Sequence, residues 1–550
     1  MQLNRCNKKM PIIKHRLLIN RSITALTICA VFLLTACDPD AAKRKLQQPK
    51  VPTIKARGIT YQGAYTLERD VQEFLGIPFA QAPIGDLRWA PPMPLPMVSE
   101  HASQNVTATE FAPACLQGPH LANWYKGVVD SFGGDGSTFP TPSFNEDCLY
   151  LNVWSPKPDA SQKKSSPLPV FVFIHGGSNK GGWSYEPNYI GERLASRGMV
   201  VVSIPYRVGA LGFFSHPELE YANFGLLDQI AGLKWIQQNI AKVGGDPNNI
   251  TVAGESSGAS NIAYLMTSPL AKGLFQRAIH QSGGWAMYAT DHKYTDDKKG
   301  LELASSALGS SGDNDIEKLR QLSGEDLLIE INEVYKDHSF DPVIDGHSVT
   351  QAFTEAAKQG QLNDLDLLIG SNANEARMYL GAGETIDSWI ADNLAEKFPD
   401  LRKSIILETL AKDSQSLEQL DQLATSFNYT CPSMSMAQIK ASFGGQTWFY
   451  HFTKQRDGDL GAKMGSYHGA ELPYVFNTHD DWLPTSAEDR ALTESLMQYW
   501  VNFARTGNPN SAGLPEWKSY KKPSDPVQFL GLEIKSQIHP SARLCRLFEQ

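Results

Sequence analysis

Gly254-Glu255-Ser256-Ser257-Gly258 constrains the fold of this chain more than any other stretch. The apolar run Ile250-Thr251-Val252-Ala253 precedes it, and Ala259 to Met266 follows it as a segment that can wind into a helix. A G-x-S-x-G pentapeptide between a strand and a helix makes a sharp turn that holds its serine in a strained backbone conformation. Nothing bulky fits two residues to either side of that serine, and glycines at 254 and 258 meet the need. Alone the pattern is weak, because glycine and serine are common. Its weight depends on what else the chain carries, and in which order.

Strand-like runs recur along the sequence. Pro169–Ile174, Met199–Ile204 and Ile250–Ala253 are short, apolar and rich in β-branched residues, as strands buried on both faces of a sheet are. Leu365–Gly370 and Gln446–Phe452 read as further strands. Between the second and third runs lies Gly225 to Val243, with Leu227, Ile230, Leu233, Ile236 and Ile240 in a stripe at helical spacing. Gly244-Gly245-Asp246-Pro247 stops that helix. The alternation predicts an α/β fold with a central, mostly parallel sheet flanked by helices. A length of 550 residues allows three domains, but α/β enzymes often run long as one unit. The net charge of -9 argues against a nucleic-acid partner, which calls for a basic surface.

The first residues read as an address. Met1 to Ala36 contains no acidic residue, and Arg5, Lys8, Lys9, Lys14, Arg16 and Arg21 precede an uncharged stretch from Ser22 to Ala36. That stretch is short for a membrane span and suits the apolar region of a signal peptide. Leu34-Thr35-Ala36-Cys37 resembles the lipobox of bacterial lipoproteins, in which cleavage falls before the cysteine and a lipid is attached to it. An uncleaved anchor or a plain secretory signal are the alternatives. The expected organisation is a signal peptide over 1–36, a lipid-anchored tether over 37–50 and a catalytic domain over 51–550. The tether residues Asp38 to Lys50 reach at most roughly 45 Å when extended. The resemblance places the chain in the bacterial cell envelope on the periplasmic side, and Asp38 after the cysteine resembles an inner-membrane retention signal. Of the seven cysteines, Cys6 and Cys29 would leave with the signal and Cys37 would carry the lipid. Cys115, Cys148, Cys431 and Cys545 remain, an even number that permits three disulfide pairings.

Catalytic candidates lie on both sides of the pentapeptide. His175-Gly176-Gly177-Ser178 directly follows the Pro169–Ile174 strand. It is a plain turn, or it presents backbone N–H groups to a developing oxyanion together with the N–H of Ser257. A serine hydroxyl needs a base, and the base needs an orienting carboxylate. Glu375 sits five residues beyond Gly370, in a loop at the C-terminal end of a strand, where the reacting groups of open α/β sheets gather. His468 lies in Tyr467-His468-Gly469-Ala470-Glu471, ahead of an apolar stretch that can pack beneath it. The order Ser256, Glu375, His468 is that of the α/β-hydrolases.

With these residues in place the chain resembles the type-B carboxylesterases, the family that includes cholinesterases and bacterial carboxylesterases. The resemblance runs from about Lys55 to the C-terminus. It is carried by Gly76 to Ala80 with Arg88-Trp89, Glu146 to Val153, Asn223 to Gln229, Gly244 to Pro247, Gly254 to Gly258, and Tyr499 to Pro509. It implies the α/β-hydrolase fold in a single large catalytic domain and a serine carboxylic-ester hydrolase working through an acyl-enzyme on a small-molecule ester. Ser256 would be the nucleophile, Glu375 the acid and His468 the base. The N–H groups of Gly177, Ser178 and Ser257 would form the oxyanion hole, with Gly176 allowing the turn, and no metal or organic cofactor is implied. The family pattern selects Cys115–Cys148 and Cys431–Cys545, and it pairs Arg88 with Glu146 and Arg207 with Asp228 as supports of the fold. Glu255 is placed to bias the imidazolium or to serve structure alone.

Some residues depart from the pattern. Ser178 stands where the family has a third glycine, and Ser257 where alanine is usual, so two extra hydroxyls bear on acyl preference. The Cys115–Cys148 loop holds Trp124 near its start but no tryptophan where cholinesterases hold a quaternary ammonium. Trp183, Tyr185 and Trp285 are candidates for lining the substrate cavity, with core packing as the alternative. Two other readings stand beside the esterase: hydrolysis of an amide, carbamate or thioester, and an adhesion protein that keeps the fold but not the chemistry.

Overall fold

Eleven strands hydrogen-bond into one sheet in the computed structural model of the protein, which describes residues 51–66, 70–99, 104–158, 166–288, 291–410 and 416–548. The predicted signal, Cys37 and the tether lie outside these residues. Numbered along the chain, the strands are β1 (Ala64–Thr66), β2 (Val71–Pro78), β3 (Tyr150–Pro156), β4 (Leu168–Ile174), β5 (Val200–Ile204) and β6 (Gly245–Glu255). They continue as β7 (Arg277–Gln281), β8 (Asp366–Asn372), β9 (Thr447–Phe452), β10 (Val527–Leu530) and β11 (Lys535–Gln537). Their order across the sheet is β1-β2-β3-β5-β4-β6-β7-β8-β9-β10-β11. Pairing is parallel from β5 through β10 and antiparallel toward both edges. Two smaller sheets lie outside it.

The five strand-like runs read from the sequence are all present as β4, β5, β6, β8 and β9. Their burial explains why they were legible: every residue of β5 and β9 is buried, as expected for strands covered on both faces. The third run is longer than its apolar part. Gly245–Asn249 extends β6, with a register irregularity against β4 between Gly245 and Ile250.

Helices cover both faces. Among them are α1 (His120–Ser131), α2 (Phe224–Asn239), α3 (Ser257–Thr267) and α4 (Ala487–Thr506). The expected stop of α2 is real: a 3₁₀ turn over Ile240–Val243 ends at Gly244, whose φ of 88° is left-handed. All residues of α3 are buried, which is why that segment has no polar face to read. Ser486 opens α4 with a reciprocal cap, its side chain accepting from Asp489 N while the Asp489 carboxylate accepts from Ser486 N. Apolar clusters pack against each face of the sheet. Among the described residues, no helix is long and apolar enough to cross a membrane.

Two disulfides, Cys115–Cys148 and Cys431–Cys545, are the pair the resemblance selected. The two ion pairs are present as well. Arg88 grips Glu146 with two bonds of 2.7 Å, and Arg207 grips Asp228 with two of 2.8 Å. Bidentate pairing of this kind lets a buried charge be tolerated where a single contact would leave it short of partners.

Candidate active site

Strand order reverses between β4 and β6, and a crevice forms outside the carboxyl ends of strands at such a point. β4 and β6 are direct neighbours, with Ile174 paired to Gly254, so the segments leaving them emerge side by side. One is His175–Ser178 and the other is the Ser256 turn.

Ser256 has φ 58° and ψ -130°, a conformation L-residues avoid, and it sits between β6 and α3. The flanking glycines are there for want of space. A Cβ on Gly254 would lie 2.7 Å from the Gly258 carbonyl carbon, and one on Gly258 would lie 2.2 Å from the Ile174 oxygen. Gly176 is equally confined, since its Cβ would come within 2.9 Å of Ser256 Cβ. The strand-exit segment therefore lies against the serine turn only because that position has no side chain.

Glu375 follows the end of β8 and is fully buried. Its Oε1 accepts from Ser282 Oγ at 2.5 Å and from Asn372 N at 2.6 Å, and its Oε2 lies 2.7 Å from His468 Nδ1. The loop bearing His468 is drawn onto the ends of β7 and β8 by Glu471, which accepts from Gln281 Nε2 at 2.8 Å and Asn372 Nδ2 at 2.6 Å. Leu472–Phe476 is a short buried helix beneath it, the packing the apolar stretch predicted.

His468 Nε2, the other ring nitrogen, lies 3.2 Å from Glu255 Oε1. This is a charge contact without hydrogen-bond alignment, because that oxygen has no hydrogen-bond partner. Burial by itself would lower the imidazole pKa, but the Glu255 charge and the Glu375 hydrogen bond outweigh it and push it up to about 9. Burial pushes Glu255 up to about 8, against the pull of His468 and with Glu471 and Glu375 adding to the rise. The rings of Tyr429 and Tyr379 flank His468, with centroids 5.1 and 5.9 Å away.

Ser256, His468, Glu255, Gly176, Gly177 and Ser178 all border one cavity of about 400 Å³. Helix α1, inside the Cys115–Cys148 loop, supplies a wall with Trp124 and Tyr125, and Trp482 packs edge-on to Tyr125 at 5.7 Å. The three aromatic residues expected to line this space do not. Trp183 is buried, Tyr185 stacks on Phe111 and donates to Ala112 O, and Trp285 donates to Asp341 and packs on Tyr429. Their place is taken by Trp124, Tyr125, Tyr189, Tyr379, Tyr467 and Trp482. Among the described residues, the backbone N–H groups of Gly177, Ser178 and Ser257 have no acceptor.

The family model described as carboxylesterase family matches residues 48–547. The chain belongs to the carboxylesterase family. It is 32% identical over 502 residues to fumonisin B1 esterase of Sphingopyxis macrogoltabida, covering 84% of this chain and 84% of that protein. With carboxylesterase 1E of Mus musculus it shares 32% identity over 535 residues, or 90% of this chain and 92% of the relative. The solved structure of a thermophilic PNB esterase superposes with a TM-score of 0.76 at 28% identity, over 90% of this chain and 99% of that one. This carboxylesterase-family hydrolase thus has the α/β-hydrolase fold expected of it.

Sequence reasoning missed Ser282, Asn372, Gln281 and Glu471, the groups that hold Glu375 and the His468 loop. Ser282 alone left a trace: Gln281-Ser282-Gly283-Gly284 is a strand exit with two glycines, and Ser282 has a φ of 59°.

Proposed function

We propose that this hydrolase cleaves carboxylic esters through an acyl-enzyme, with Ser256 as nucleophile, His468 as base and Glu375 as the orienting acid. The observation that carries the reading is the 2.7 Å contact of Glu375 with His468 Nδ1, at a cavity that a strained Ser256 also borders. Neutral His468 takes the hydroxyl proton as Ser256 Oγ attacks the ester carbonyl. Charge builds on the carbonyl oxygen, and the unpaired N–H groups of Gly177, Ser178 and Ser257 receive it. Loss of one such donor typically costs about 3–4 kcal/mol of transition-state stabilisation. The imidazolium then protonates the departing alcohol, and water enters by the same route to release the acid. The test is hydrolysis of a p-nitrophenyl ester panel of increasing acyl length by the full chain, alongside matched anilides and thioesters. Turnover led by the short-chain esters supports the reading, and turnover confined to anilides or thioesters replaces it with the alternative acyl bond.

The charge around His468 sets a pH dependence. The base works only when neutral, so kcat/KM rises with pH through the value of about 9 to which Glu255 and Glu375 lift it. Glu255→Gln removes the first of the three carboxylate charges, those of Glu255, Glu375 and Glu471, that favour the imidazolium. The ascending limb then moves to lower pH, and a pH–rate profile that stays put or moves upward contradicts the assignment.

For the N-terminus we propose attachment to the cell envelope through a lipid on Cys37, supported by the Leu34-Thr35-Ala36-Cys37 pattern and the uncharged stretch before it. Mass spectrometry of the mature N-terminal peptide should find a diacylglyceryl group on Cys37. An unmodified N-terminus at another residue refutes it.

A further inference from the structure

We propose that Ser257 and Asn179 lock together the two halves of the oxyanion hole, acting as positioning residues; this rests on the proposed role of Gly177, Ser178 and Ser257 as its donors. Two of those donors leave β4 and the third begins α3, so nothing in the chain's connectivity fixes their spacing. Side chains do it instead.

Ser178 and Asn179 are successive residues with φ of 57° and 52°. Two left-handed residues in a row are costly for side chains of any size, and asparagine tolerates the conformation best among them. What holds the pair is a complete set of hydrogen bonds to Asn179. Its backbone N–H donates to Ser257 Oγ at 3.0 Å, and its carbonyl accepts from Gly209 N at 2.6 Å. Its Oδ1 accepts from Asn261 Nδ2 at 2.9 Å and Tyr206 OH at 3.1 Å, while its Nδ2 donates to Phe340 O at 3.0 Å and Asn261 Oδ1 at 3.3 Å. Asn179, Asn261 and Tyr206 are fully buried and Ser257 nearly so.

Ser257 and Asn261 stand one turn apart on α3, the helix that opens with the third donor. Three bonds from one helix thus clamp the residue next to Ser178. Tyr206 OH also lies 2.9 Å from His175 O, so its one proton is shared between that carbonyl and Asn179 Oδ1, tying the other end of the glycine segment into the same cluster. The Ser257 hydroxyl is therefore not presented to substrate. Ser257 does not border the cavity, whereas Ser178 does and is exposed to it. Of the two extra hydroxyls, one positions the donors and only the other can meet an acyl group.

The test uses the full chain with Ser257→Ala, which removes the acceptor of Asn179 N–H, and Ser257→Thr, which keeps it. Ser257→Ala should lower kcat on p-nitrophenyl butyrate about 10- to 100-fold, as slight misplacement of an oxyanion donor does, with KM little changed. Affinity for an alkyl trifluoromethyl ketone, whose tetrahedral adduct carries the oxyanion, should fall by the same factor. Backbone amides over 176–183 should exchange hydrogen faster. Ser257→Thr should recover most of both losses. Wild-type kcat and ketone affinity in Ser257→Ala overturn the lock, as does a rise in KM alone. If the wild-type protein neither turns over esters nor binds the ketone, the proposed function fails instead. Exchange then still judges the lock: faster exchange in Ser257→Ala supports it and unchanged exchange rejects it.

Discussion

Ser256→Ala should lower kcat for p-nitrophenyl butyrate by about 10⁵- to 10⁶-fold, the loss seen when a serine nucleophile is removed from a triad that works as a unit. Alanine keeps the Cβ that the turn already accommodates, so the strained φ of 58° and the glycines around it are undisturbed. Among the described residues the hydroxyl has no hydrogen-bond partner, so its removal leaves no buried group unpaired and stability should shift by less than about 1 kcal/mol. Residual activity should show no burst of p-nitrophenol, because no acyl-enzyme can form. Stopped-flow kinetics with a parallel thermal melt separates loss of chemistry from loss of fold. A variant that retains a burst places the nucleophile elsewhere.

Glu375→Gln should cost about 10³- to 10⁴-fold in kcat, although it changes one heavy atom. Ser282 Oγ and Asn372 N both donate to the same carboxylate oxygen, so in the variant the amide oxygen must stay there to accept from them. The amide NH₂ then faces His468 Nδ1. That nitrogen must become an acceptor, which puts the ring proton on Nε2, the atom that should take the Ser256 proton. Wrong-tautomer imidazole cannot act as the base. Removing the Ser282 hydroxyl, one of the two donors to that oxygen, gives a check on this explanation: Ser282→Ala frees one constraint on the amide and should soften the Glu375→Gln defect. Steady-state kinetics of the two single variants and the double variant measures that coupling. Additive losses contradict the tautomer account.

The parts of the fold that could be read from sequence are those where one local signal suffices. β5 and β9 are mostly apolar because both faces are covered, and the glycines at 254 and 258 stand out as a local pentapeptide, although the atoms that confine them include Ile174 O at the end of β4. Glu375 and His468 were legible through strand-end position and chain order. The cavity wall was not. Trp124, Tyr125 and Trp482 come from α1 and from a distant loop, and no periodicity marks which ring of an aromatic-rich chain faces a cavity and which, like Trp183, fills the core. Asn179 was equally silent. Its six hydrogen bonds reach Ser257, Gly209, Asn261, Tyr206 and Phe340, which are between 27 and 161 residues away. Ser257 was visible as a departure, but whether its hydroxyl meets substrate or backbone is decided by the geometry at the end of β4.

Covalent labelling tests the central claim most directly. The full chain treated with a p-nitrophenyl alkylphosphonate should gain one phosphonyl group per molecule, and peptide mapping should place it on Ser256. The Ser256→Ala protein should gain none. Labelling of another residue, or a wild-type protein that stays unmodified while remaining folded, contradicts the account.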